Sequence, residues 1–188
     1  MYRIRITFSK FGKARWIGNL DLHRTWARIL RRAGVPIAYS QGFNPQPRMQ
    51  LASALPLGIV SNCEILDIWV IAPISTDSLK NDLAVGLPSG IEIIEIVETD
   101  LKGKSLQSRL RAAEYVIELE DNVEIQVLQE IVDKLLAMKS IIRQRRGKDY
   151  DMRSLIQVLD IVSEDSVPQK IFVRFSACPG AVSYTHLT

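Results

Sequence analysis

Residues 2–8 alternate strictly, with Ile4, Ile6 and Phe8 on one side and Arg3, Arg5 and Thr7 on the other. Period two is that of a strand with one face on a core and the other on solvent. Across residues 20–33 the period changes. At 100° per residue, Leu22, Trp26, Ile29, Leu30 and Ala33 form one stripe of an amphipathic helix. Asn19 is placed to cap that helix, Asp21 sits in its first turn, and Gly34 and Pro36 stop it. Residues 9–18 read as a basic connector in which Trp16 is expected to anchor in the core, a base-stacking role staying open. Strands are expected at 49–57 and 63–71 around the turn Leu55-Pro-Leu-Gly58, then a helix over 77–85 and a strand over 91–97.

A polar linker at 98–107 separates this half from a second one. There the pattern predicts a strand at 112–120, an amphipathic helix at 123–138, and strands at 140–144, 155–162 and 170–176. The order strand–helix–strand thus recurs. The expected class is α+β, two ferredoxin-like halves (1–98 and 108–176) with mainly antiparallel sheets. Residues 177–188 continue no pattern and read as a non-native or disordered tail on a truncated C-terminus, so His186 is set aside.

Composition narrows the class. At 188 residues and 47% hydrophobic, the chain is long enough to bury a core. Its longest apolar run, Ile68-Trp-Val-Ile-Ala-Pro-Ile74, is far short of the ~20 residues a membrane span requires. Arg3 and Arg5 within the first strand argue against a signal peptide, and two cysteines are too few for a disulfide framework. A cytoplasmic location is expected. The net charge of +3 is unevenly spread: residues 1–48 carry ten Lys/Arg against the single acid Asp21, and residues 49–142 seven against fifteen. Such asymmetry points to a polyanion-facing end.

Two features sit in the basic block. Arg24, Arg28, Arg31 and Arg32 share the helix face opposite the apolar stripe, and four like charges repel unless an anion lies against them. A phosphate backbone would serve, and so would acids from the chain's own middle. After the helix comes Tyr39-Ser-Gln-Gly-Phe-Asn-Pro-Gln-Pro-Arg48. Pro45 and Pro47 stiffen this loop, and it offers Tyr39, Phe43, Gln41, Asn44 and Arg48 to a ligand. It is either a binding loop or a well-packed connector. A second basic cluster, Arg143, Arg145, Arg146 and Lys148, lies beside Gly147.

Together, Asn19-Leu-Asp21, Arg31-Arg-Ala-Gly34, the 39–48 loop, Leu55-Pro-Leu-Gly58 and Lys148-Asp-Tyr-Asp-Met-Arg153 resemble the bacterial radical-SAM-linked protein family. The resemblance extends to about Phe175. Members of that domain of unknown function stand beside, or are fused behind, cobalamin-binding radical SAM proteins. The resemblance therefore implies a radical SAM partner and no particular reaction. The chain departs from the family pattern at Asn19 and Gln46, where histidines are usual, so His23 is its only histidine outside the tail.

No cofactor or metal site is expected, because the clustered cysteines of an iron–sulfur site, zinc spacings and phosphate loops are all missing from the sequence. The leading expectation is an accessory domain that binds tRNA or rRNA for the radical SAM partner. Arg15, Arg24, Arg28, Arg31, Arg32, Arg145 and Arg146 would meet phosphate, and Tyr39, Gln41, Phe43, Asn44 and Arg48 the bases. Two alternatives remain: a stand-alone enzyme with a small-molecule or nucleotide pocket at the loop and Asp21 as catalyst, or an adaptor docking the partner.

Overall fold

The computed structural model describes residues 1–120, 123–145, 147–162 and 169–177, with Arg145 as backbone alone. The chain forms two compact units that divide after Arg109.

The first unit runs β1 (Tyr2–Lys10), α1 (Asn19–Arg32), β2 (Met49–Leu51), β3 (Ser61–Val70), α2 (Thr76–Ala84) and β4 (Ile91–Thr99). Its sheet has the order β2-β3-β1-β4, and every neighbouring pair is antiparallel. Each helix thus connects two parallel strands that have a third between them, which is the ferredoxin-like arrangement. Ile4 lies opposite Ile68 and Ile6 opposite Leu66, so the apolar sides of β1 and β3 fall on one face. Onto that face α1 buries Leu22, Trp26, Ile29 and Leu30, and α2 buries Leu79 and Leu83. Trp26 meets Phe8 edge-on at 4.9 Å.

The helix ends follow local chemistry. Gly18, not Asn19, is the N-cap of α1; its carbonyl accepts from the Leu22 N–H at 2.8 Å and no side chain caps the turn. At the other end Gly34 takes φ +65°, and the Val35 N–H reaches back to the Leu30 carbonyl at 3.0 Å. A positive φ there closes the helix at little cost only in glycine. Ser75 caps α2 by accepting from the Ser78 N–H.

The polar side of β1 differs from its expected exposure. Arg3 is 1% exposed and Asp67, from β3, is 0% exposed. Arg3 Nη2 donates to Asp67 Oδ2 at 2.6 Å and Arg5 Nε to Asp67 Oδ1 at 2.8 Å. The remaining Arg3 donors reach the carbonyls of Asp100, Gly103 and Lys104. Hydrogen bonding to Asp67 raises the Arg5 pKa further above its ordinary value. Residues 98–107, read as a linker, are therefore part of this unit. Their backbone covers Arg3, and the short helix α3 (Leu106–Arg109) buries Leu106 while its N–H donates to Gln50 Oε1 at 3.1 Å.

The boundary of β2 also moves. β2 stops at Leu51, where pairing with β3 ends after Leu66, and residues 52–60 form an irregular connection with Gly58 at φ +85°. At the opposite edge lies β4, whose Ile94 carbonyl accepts from Lys80 Nζ at 3.0 Å.

The second unit contains β5 (Ala112–Glu118), α4 (Ile125–Ala137), the hairpin β6 (Ile142–Arg145) and β7 (Lys148–Asp151), then β8 (Ile156–Val162) and β9 (Lys170–Ser176). β9 pairs antiparallel with both β5 and β8, giving the order β5-β9-β8. Val132 of α4 packs with Leu159, Val173 and Phe175. The whole is α+β with mainly antiparallel sheets. The expected tail, 177–188, begins one residue too early: Ala177 is buried and its N–H donates to the Arg111 carbonyl at 2.9 Å, while 178–188, with His186, lie outside the described residues.

Candidate functional site

Residues 38–48 leave α1 through Pro36 and return along β3. The Ala38 N–H donates to the Trp69 carbonyl at 2.7 Å, and the Trp69 N–H donates to the Arg48 carbonyl at 3.0 Å. Ser40 and Gln46 then clamp the loop twice: Ser40 N–H to the Gln46 carbonyl at 2.8 Å, and Gln46 N–H to Ser40 Oγ at 2.9 Å. Beyond the clamp, Gln41, Gly42, Phe43, Asn44 and Pro45 are exposed. Phe43 is 108% exposed, so it packs on nothing in its own unit. A fixed stem presenting a bare aromatic is unlike a packed connector. Tyr39, paired with Pro47 across the stem, is half exposed.

On α1, Arg24 is held by Asp21 at 3.1 Å. Arg28, Arg31 and Arg32 are exposed and have no carboxylate within ion-pair distance among the described residues. The described acids of the chain's middle therefore do not pair with them. In the 3-10 turn Gly12–Trp16, Ala14 points inward and Trp16 outward, 62% exposed. The expectation of a core Trp16 is thereby corrected: a three-residue period cannot bury Ala14 and Trp16 on one side. Arg15 lies over the Trp16 ring at 5.1 Å. In the second unit, Arg143 and Lys148 are exposed on the β6–β7 hairpin with Gly147 at φ +76°; Arg146 and the Arg145 side chain lie outside the described residues.

A cleft of about 590 Å³ opens at the β2 edge. Asn19 and His23 from α1, Ser40, Gln46 and Arg48 from the loop, and Trp69 from β3 line it. Gln50 and Gln107 add two more amides, and Pro47, Met49 and Leu51 add apolar wall. Among the described residues no carboxylate lines it. Asp21 is not part of it and remains an exposed partner of Arg24. Arg48 sets its guanidinium 5.4 Å from the Trp69 ring centroid and 3.4 Å from Met1 Sδ, with no carboxylate partner among the described residues. Asn19 and Gln46 both line this cleft beside His23. The sequence marks Asn19 only as a cap, and nothing in it singles out His23, Trp69 or Gln107 as lining one cleft. Only the aromatic and amide content of the segments carried a signal. Among the described residues no group of three or more His, Cys, Asp or Glu side chains is placed to hold a metal ion.

Below α1, at the end of the sheet, Lys10 is buried and donates to the Ile17 carbonyl at 2.8 Å. Burial pushes the Lys10 pKa down, opposed by Glu64, and pushes the Glu64 carboxyl up, opposed by Ser61 and Lys10. A raised folded-state pKa means that the folded chain holds the Glu64 proton more tightly. Stability is therefore lost as pH rises from the ordinary carboxylate range through that raised value. Glu64→Gln is expected to raise the urea midpoint at pH 7, with the gain shrinking toward pH 4. A gain independent of pH would mean that ionisation of Glu64 is not its cause.

The fold and surface describe an α+β protein with a ferredoxin-like unit, a basic helix and a stiff exposed loop. Residues 3–179 match the family described as "Uncharacterized protein conserved in bacteria (DUF2344)", and the chain belongs to that family. No curated protein matches it. Among the described residues no helix is long and apolar enough to cross a membrane.

Proposed function

We propose that this protein is an accessory RNA-binding domain, acting on tRNA or rRNA for a radical SAM partner in the cytoplasm. The observation that carries the RNA reading is the row Arg28, Arg31 and Arg32, exposed on one helix with no acid paired to it among the described residues. Guanidinium groups in that state match phosphate bidentately. Phe43 on its clamped loop, Tyr39, and Trp16 under Arg15 supply faces on which unpaired bases stack. The partner rests on the family resemblance alone. Co-purification with a co-expressed radical SAM protein tests it.

RNA binding is tested by fluorescence anisotropy with labelled tRNA across a salt series. Log Kd is expected to rise linearly with log salt. Arg28→Ala/Arg31→Ala/Arg32→Ala should reduce the slope by about 2, three phosphate contacts at ~0.7 each. Binding indifferent to salt, or a variant with the parent slope, removes the helix from the interface.

The cleft supports a second reading, a stand-alone enzyme acting on a small molecule or nucleotide. With no carboxylate in the lining, proton transfer there would fall to His23. A substrate turned over by the parent and not by His23→Gln would favour this reading over the accessory one.

A further inference from the structure

We propose that the cleft at the β2 edge binds one nucleoside monophosphate, with its phosphate on Arg48 and His23 and its base against the amides. Four amide side chains, Asn19, Gln46, Gln50 and Gln107, face one cavity. Gln50 spends its oxygen on the Leu106 N–H. Asn19, Gln46 and Gln107 make no side-chain hydrogen bond to the protein among the described residues. A side-chain amide presents a donor and an acceptor side by side, the spacing found on the edges of nucleobases. Several unspent amides in one cleft fit a flat heterocycle with alternating donors and acceptors better than they fit an apolar ligand.

The charge argument is separate. Arg48 is exposed at the cleft, its guanidinium resting beside Trp69 with every N–H free of carboxylate among the described residues. His23 lies on the same lining, and among the described residues no acid lines the cleft to repel an anion. The backbone of Arg48 is fixed at both ends, its N–H on the Ala38 carbonyl at 2.7 Å and its carbonyl under the Trp69 N–H. The cation is thus mounted on a rigid stem. Pro47 and Met49 give apolar surface for a ring, and about 590 Å³ falls within the range of small-molecule sites.

The same chemistry belongs to a free mononucleotide and to one nucleotide splayed out of an RNA strand. In the second case the inference deepens the RNA reading by naming what the strand places in the cleft. It uses none of Arg28, Arg31 or Arg32, so the two stand or fall separately.

Isothermal titration calorimetry with AMP, GMP, CMP and UMP, each beside its nucleoside, tests the assignment. At least one monophosphate is expected to bind saturably, and its nucleoside about tenfold more weakly. Gln46→Leu, which leaves the Ser40 clamp to the backbone, should weaken binding about tenfold, as the loss of one bidentate contact does. Arg48→Ala should do the same, and Arg28→Ala/Arg31→Ala/Arg32→Ala should leave mononucleotide Kd within about twofold. A trinucleotide that displaces the monophosphate at lower concentration than the free nucleotide assigns the site to a strand; the reverse order assigns it to a free nucleotide. No saturation at millimolar monophosphate overturns the inference, as does binding that Gln46→Leu and Arg48→Ala both leave unchanged. Loss of RNA binding in the triple-arginine variant with mononucleotide binding intact supports both readings. Salt-independent RNA association with mononucleotide binding intact retires the helix interface alone.

Discussion

Asp67→Ala is expected to cost about 3–5 kcal/mol, the largest loss of any single substitution considered. Asp67 is fully buried and is the only carboxylate that Arg3 and Arg5 meet among the described residues. Removing it leaves two guanidinium groups on adjacent positions of one strand face, one of them sealed under residues 100–104. Arg3 would keep its carbonyl partners, and those offset only part of the lost charge pairing. Replacing both buried partners, as Arg3→Met/Asp67→Leu, should recover at least about 2 kcal/mol of that loss, because an apolar pair avoids the desolvation that an ion pair carries. All three tryptophans, Trp16, Trp26 and Trp69, lie in the first unit, so urea unfolding followed by tryptophan fluorescence reads this unit by itself. A loss below about 1 kcal/mol for Asp67→Ala would show that water reaches the triad and screens it.

Gly90→Ala is expected to cost about 2–4 kcal/mol, a left-handed backbone and an overpacked contact together, and to move the turn that carries Arg15 and Trp16. Gly90 takes φ +90°, and a Cβ there would lie 2.2 Å from the Phe11 carbonyl oxygen and 3.0 Å from Ala14 Cβ. The first contact is with backbone, so relief requires the chain to shift, and the Phe11 N–H bond to the Gly90 carbonyl at 2.8 Å would be strained with it. Steric and dihedral costs separate by comparison with Gly12→Ala. Gly12 also has positive φ, +55°, and nothing lies within 4 Å of its Cβ position. That control should cost only about 1–2 kcal/mol. Equal losses in the two variants would mean that the Phe11 contact relaxes freely.

Much of the architecture was legible because local and global signals agree. The alternation of β1 and the apolar stripe of α1 each state their element in a few residues, and the order strand–helix–strand follows. The buried side of Arg3 was not legible from β1. Period two separates the faces of a strand without saying what covers either one. The available sign was Asp67, a lone acid in the apolar stretch Ile65–Val70, which faces the polar side of β1. Trp16 failed for a different reason: its turn is too short to show a period. The loop announced itself through its prolines and amides. The cleft did not, since Asn19, Gln46, Trp69 and Gln107 are joined only by the folded sheet edge.

At the far edge of the same sheet, β4 exposes Glu92, Glu95 and Glu98, and its Ile94 carbonyl is already taken by Lys80. A strand from another molecule arriving there would meet a fence of carboxylates and a ladder with one rung filled. Such edges resist self-templating, so the sheet can leave its exposed Ile94 and Val97 in water without seeding the fibrous association that bare strand edges invite.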